Sequence, residues 1–317
     1  MSRTVFLTLT ASILVASLLL FGNAFAKDTS PLSRKIAPIV STDWLQQNNQ
    51  SKNLVILDVR TKEEYAEGHI PGAVNVPFLV PVSEWIVLKD DLLLEVPEQA
   101  ALFSTIGSCG IKNDSLVVVV TSAPKPGEPP YSIANATRVA FTLIYAGVPN
   151  VAILDGGHNK WQKENKSVTR DAVSPTAVTF QGKARKSMFA SKEYVKEHLG
   201  KALLIDARNG DVYYGASVEP FASKPGHIRT AKSLPTPWMW NANDWTYKDK
   251  KSLGAMVSGL SGKEKPKEII TYCGVGGYGS TMWFVLSEVL GYKNVKLYDG
   301  SAQEWAKHYD MVPYRWD

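Results

Sequence analysis

"LVILDVRTKEEYAEGHIPGAVNVPF", residues 54–78, is answered later in the same chain by "LLIDARNGDVYYGASVEPFASKPGHIRTAKSLPTP", residues 203–237. Each stretch runs through an apolar strand, Asp, a small residue, Arg, a variable insert and then Gly-His-Ile. A second pair, "NVAILDGGHNKW" (150–161) and "NVKLYDGSAQEW" (294–305), keeps the same order. Asp58 maps onto Asp206 and Asp155 onto Asp299, at offsets of 148 and 144 residues, so the chain is a duplicated unit with small insertions.

Between these landmarks both halves alternate strand and helix. "SLVVVVTS" (115–122) and "EIITYC" (268–273) read as buried strands, while "IANATRVAFTLIYAGV" (133–148) and "GSTMWFVLSEVLGY" (279–292) have apolar residues at helical spacing and stop at Gly147 and Gly291. This predicts an α/β fold: two tandem domains, each a parallel sheet flanked by helices. The polar stretch "KENKSVTRDAVSPTAVTF" (163–180) separates them, with the boundary near 175, giving domains over 27–175 and 176–317. A chain of 317 residues suits that division. Sheets of this kind bind ligands in loops at the carboxyl ends of their strands, and Cys273 stands at such an end.

Arg3, the apolar run Val5 to Phe21 and the Ala24-Phe25-Ala26 site read as a signal peptide over 1–26, which predicts export to a bacterial periplasm with no stable membrane insertion after cleavage. The net charge of +5 comes from scattered residues, which argues against a nucleic-acid partner. Two cysteines, Cys109 and Cys273, lie 164 residues apart in different domains, so separate thiols are expected rather than a bridge. No Cys or His pair has metal-ligand spacing; no metal and no cofactor is expected, and the protein is expected to be a monomer.

In "TYCGVGGYGSTMW" (271–283), glycines 274, 276, 277 and 279 follow the cysteine. Glycines let a loop curl so that its N–H groups converge on an anion, and such a nest feeding a helix lowers a thiol's pKa. Strand, Cys, Gly-rich loop and helix together meet the needs of a sulfur nucleophile.

With "DVR…GHIPGAVNVPF", "LDGGHNKW", "DAR…GHI" and "CGVGGYGS" in order, the chain resembles the tandem-domain rhodanese family of thiosulfate and 3-mercaptopyruvate sulfurtransferases, over about residues 35–310. The resemblance implies that Cys273 is the catalytic residue and that the first domain, without a catalytic cysteine, walls the cleft. The matching first-half stretch "VTSAPKPGEPPYS" has no thiol and four prolines, and Cys109 falls before the strand as a structural cysteine. By resemblance the reaction is a double displacement, in which Cys273 takes sulfane sulfur from a small donor such as thiosulfate and a thiol or cyanide acceptor removes it. The backbone of Gly274, Val275, Gly276, Gly277, Tyr278 and Gly279 would hold the sulfur's charge.

Several departures leave the donor open. Thiosulfate-specific relatives usually follow the cysteine with basic residues, where this chain has Gly274 and Val275. Val212 stands where an arginine is common, and the carboxylate-binding arginine expected near "EPFAS" is missing. Arg208 and Arg229 are the cations that remain for substrate binding, Arg208 fitting a structural ion pair equally well. Asp206 is a supporting residue at a strand end. His69 and His227, repeated in both halves, read as scaffold. The Tyr278 phenol either donates to an anion or packs on the loop. Trp238, Trp240, Trp245 and Trp283 read as core or cleft wall.

Cysteine phosphatases and arsenate reductases need an arginine six residues after the cysteine, and Gly279 stands there. The alternatives that stay open are a periplasmic persulfide carrier or sulfur-compound binding protein with little turnover, and a 3-mercaptopyruvate sulfurtransferase.

Overall fold

The computed structural model describes residues 31–262 and 264–313; the expected signal peptide lies outside the described residues. In chain order the strands are β1 (Ile39–Val40), β2 (Leu54–Asp58), β3 (Val74–Asn75), β4 (Val87–Lys89), β5 (Leu92–Glu95), β6 (Leu116–Val120), β7 (Asn150–Leu154), β8 (Leu203–Asp206), β9 (Lys232–Ser233), β10 (Ile269–Tyr272) and β11 (Val295–Leu297). The first half forms a parallel sheet in the order β1-β7-β6-β2-β3. The second forms β11-β10-β8-β9, again parallel. A bridge from Phe189 to Leu297 takes the place on β11 that β1 takes on β7, so the repeat extends to the sheet edge. β4 and β5 make a small antiparallel hairpin.

The runs "LVVVV" and "IITY" are apolar without alternation because helices cover both sheet faces, and both strands are almost wholly buried. Helix Tyr131–Ala146 ends at Gly147, which adopts a left-handed φ of 101°. Its counterpart, Gly277–Phe284, starts two residues earlier than the apolar pattern predicts, because Gly276 caps it in the left-handed region at φ 91°. It continues as a wide π turn over Val285–Val289, where Leu290 N donates to Val285 O at 2.9 Å.

These two helices join the halves. The hydroxyls of Thr137 and Thr281 lie 2.5 Å apart, and Phe141 meets Trp283 edge-on at 4.9 Å between centroids. One core therefore spans both units, from Val119 and Phe141 to Trp283 and Leu297, while separate clusters fill the outer face of each sheet. Two further contacts cross in a reciprocal way. Asp299 of the second half holds Arg138 of the first, and Asp155, its equivalent, accepts Tyr247 N at 2.8 Å.

Residue 175 falls inside a connecting segment that stays on the first half well beyond that point: Val178 N donates to Gly107 O and Arg185 N to Tyr145 O. Trp240 and Trp283 are buried and Trp245 is half-buried, whereas Trp238 is 55% exposed and so is not core. Among the described residues no helix is long and apolar enough to cross a membrane, and no group of three His, Cys, Asp or Glu could hold a metal ion.

Candidate functional site

β10 delivers Cys273. Its last residue, Tyr272, is in register with Asp206 on β8, and Cys273 is the next residue, buried to 3% exposure. From there the chain turns sharply into the helix, and Gly276 N donates to Cys273 Sγ at 3.1 Å. The turn requires its glycines. A Cβ on Gly276 would meet Asp299 Oδ1 at 2.5 Å, besides facing the left-handed φ, and a Cβ on Gly274 would meet Phe221 and Glu219 within 2.5 Å.

The "YDGSAQ" segment supports the turn from below. Ser301 Oγ accepts Cys273 N at 3.2 Å and donates to Tyr298 O at 2.9 Å. Ala302 N reaches Cys273 O and Gln303 N reaches Gly274 O. Gln303 also bonds both polar groups of Leu93 through its side-chain amide, tying the loop to the hairpin of the first half.

The thiol differs from the sequence expectation in its acidity. Burial pushes the Cys273 thiol up; the Gly279, Val275 and Gly276 amides pull it down, Glu219 pushes it further up, and the net displacement is upward. The nest opposes desolvation without overcoming it. Cys109 is a different kind of thiol. It is free and buried at the end of helix Gln99–Ser108, and burial pushes it up to about 11.

Arg208 is buried, with Nη1 3.8 Å from Glu219 Oε2. Its guanidinium grips Asp206 with Nε at 2.9 Å and Nη2 at 2.6 Å, and Nη2 also donates to Gly226 O. Arg60 makes the same bonds to Asp58 and Gly68 O in the half that has no cysteine at the matching turn. The Arg–Asp pair thus recurs in both halves, and Asp206 also accepts the Tyr272 hydroxyl at 2.7 Å. The Gly-His-Ile turns repeat as closely. His69 stacks on Tyr65 and His227 on Tyr213, and each tyrosine donates to the carbonyl of Ala73 or Ala231 at 2.7 Å. Arg229 is exposed on the turn after His227.

Val275 is half-buried against the shared core. Tyr278 is buried at 8% exposure, its hydroxyl has no hydrogen-bond partner, and its ring lies 5.4 Å from that of Tyr131, an exposed residue of the first half. The structure thus brings together Cys273, the 274–279 backbone and Tyr278, and leaves Arg229 on the surface.

Three residues at the site are not singled out in the sequence. Arg138 is wholly buried and donates through Nη1 and Nη2 to Asp299 at 2.6 and 2.9 Å, also reaching Leu94 O, with Nη1 3.5 Å from where a Gly276 Cβ would stand. Its signal was a lone arginine inside an apolar helix. Tyr131 left no signal, standing at the start of its helix directly after the proline-rich stretch. Glu219 lies in "EPFAS", the stretch where the resemblance leads one to expect an arginine and the chain has a carboxylate.

The register of the two sheets places Thr121 where the second half has Cys273, and His158 N donates to Thr121 O as Ala302 N does to Cys273 O. Two copies of one α/β unit, with one retaining the thiol loop, meet the Rhodanese-like domain family at residues 41–164 and 191–308. The chain belongs to the rhodanese family.

Relatives of this rhodanese carry names from sulfur transfer. A Saccharopolyspora erythraea protein with a provisional thiosulfate sulfurtransferase name is 30% identical over 280 residues, 84% of this chain and 92% of the relative. "Sulfur carrier protein TtuD" of Thermus thermophilus is 32% identical over 286 residues, 84% and 93% of the two chains. Among solved structures, the anaerobic ergothioneine biosynthesis enzyme from Chlorobium limicola with trimethyl histidine has a TM-score of 0.72 at 23% identity, over 87% of this chain and 71% of that one. That likeness shows the rhodanese fold alone.

Proposed function

We propose that this rhodanese moves sulfane sulfur from a small donor such as thiosulfate to a thiol or cyanide acceptor by way of a persulfide on Cys273. The observation that carries this reading is the Gly276 amide aimed at Cys273 Sγ, in a turn that first-half prolines would not allow. Once the thiol has lost its proton to solvent, the thiolate attacks the outer sulfur of thiosulfate. The donor's S–S bond breaks, sulfite leaves with the electron pair, and Cys273–S–S⁻ remains. An acceptor thiolate or cyanide then attacks the outer sulfur, releasing RS–S⁻ or thiocyanate and returning the Cys273 thiolate. The loop amides serve both anions, since the charge stays within the same turn. We place this activity outside the cytoplasm on the strength of the leader sequence.

A second reading, a persulfide carrier with little turnover, is favoured by two observations: the loop from Cys273 to Gly279 has no cationic side chain, and the Thermus thermophilus relative is called a sulfur carrier. Reduced protein given thiosulfate and cyanide decides between them. Thiocyanate production that is lost in Cys273→Ser and kept in Cys109→Ser supports the transferase. A Cys273 adduct of one sulfur atom without thiocyanate supports the carrier. No adduct on either cysteine overturns both.

A further inference from the structure

Glu219 sits on the insert between the "DAR" strand end and the second Gly-His-Ile turn, and its carboxylate closes one side of the thiol loop. Oε2 is buried, has no hydrogen-bond partner, and lies 2.5 Å from where a Gly274 Cβ would stand. The Arg208 Nη1 atom is 3.8 Å away, within ion-pair reach, on a guanidinium that Asp206 shares. The groups facing Glu219 are otherwise acidic or phenolic: Asp206 and Asp211 on its own half, Cys273 and Tyr278 on the loop, and Tyr131 across the cleft. Between Cys273 and Gly279 the loop offers amides and no cationic side chain. A sulfur donor approaching Cys273 therefore meets two carboxylates, Asp206 and Glu219, that share one guanidinium.

We propose that Glu219 determines donor charge at this site, selecting sulfane-sulfur donors with a single negative charge over dianionic ones. This rests on the persulfide chemistry proposed above. Thiosulfate carries two charges. Methanethiosulfonate has a methyl group in place of one oxygen anion, carries one charge, and reacts by the same step: the Cys273 thiolate takes the terminal sulfur and methanesulfinate leaves with the electron pair. Burial pushes Glu219 up to about 7, with Arg208 pulling it down and Asp206 and Asp211 pushing it up, so it gains charge as pH rises through neutrality. Repulsion of the dianion then grows more than that of the monoanion.

The test is the ratio of single-turnover persulfide formation on Cys273 with thiosulfate to that with methanethiosulfonate, measured by intact mass on either side of pH 7. Ionisation of the Cys273 thiol cancels in this ratio. In the wild-type protein the ratio should fall about tenfold as pH rises, and in Glu219→Gln it should stay flat at the low-pH value. Glu219→Asp, which keeps the charge, should retain a fall. A flat ratio in the wild-type protein overturns the inference whether or not the Gln variant folds, and so does an equal fall in wild type and Gln variant. Absence of any adduct with both donors overturns the sulfur-transfer reading itself.

Discussion

Arg138, from a helix of the first domain, holds both carboxylate oxygens of Asp299 in the second, at 2.6 and 2.9 Å, directly beneath the turn that presents Cys273. The half without a cysteine at the matching turn thus anchors the loop of the half that has one. Burial opposes the Arg138 charge, but Asp299 more than restores it through attraction and hydrogen bonding.

Removing the guanidinium leaves a buried carboxylate unpaired. Arg138→Leu should lower the free energy of unfolding by about 3–5 kcal/mol in urea titration. Arg138→Leu combined with Asp299→Leu should recover most of that loss while still slowing persulfide formation, because the turn has lost its floor.

Gly276→Ala combines a left-handed φ with a Cβ 2.5 Å from Asp299 Oδ1. Relief requires the turn to move, which takes the amide away from Sγ. Persulfide formation should slow by roughly a hundredfold, while the melting temperature falls only by what about 1–3 kcal/mol of strain implies. Unchanged labelling would show that the amide is not part of the sulfur site.

Alkylation in a Cys109→Ser background reports on the Cys273 thiol alone. Because burial and Glu219 push it up while the loop amides pull it down, the alkylation rate should climb at a pH above that of an ordinary thiol. Glu219→Gln should move the climb to lower pH, since it removes one of the two upward causes.

Glu219 also ties stability to pH. Its folded pKa of about 7 lies above the ordinary 4.5, so between those values the native state keeps a proton that the unfolded chain has lost. Stability should therefore fall as pH rises through that window, by an amount on the order of 3 kcal/mol. Glu95, pushed up to about 8 by burial and by Asp299, adds to the same trend at slightly higher pH. Glu219→Gln should flatten its part of the decline in urea titrations at several pH values.

The repeat, the parallel α/β layers, the cysteine loop of the second half and the lack of a cysteine in the matching stretch of the first are all legible in the chain. The strands are uninterrupted apolar runs, the landmarks recur at nearly constant offsets, and glycine against proline after a strand carries a direct backbone meaning. The roles of Arg208, Arg229 and Glu219 were not legible. A charged residue near a motif can face solvent, a structural partner or the reacting atom, and local sequence does not say which. Arg208 is held by Asp206, two residues earlier in the chain, and faces Glu219, while Arg229 is exposed.

Sequence alone determined which half carries the cysteine turn, because that turn has no proline and places glycine at 274, 276 and 279, where a Cβ would collide. Tertiary structure decided the electrostatics around that nucleophile. The net acidity of Cys273 depends on how completely the shared core excludes water, and its neighbours come from distant segments: Glu219 from the insert, Tyr131 from the other domain, and Arg138 through Asp299. Burial and Coulomb interaction depend on distance through space, and the fold sets those distances.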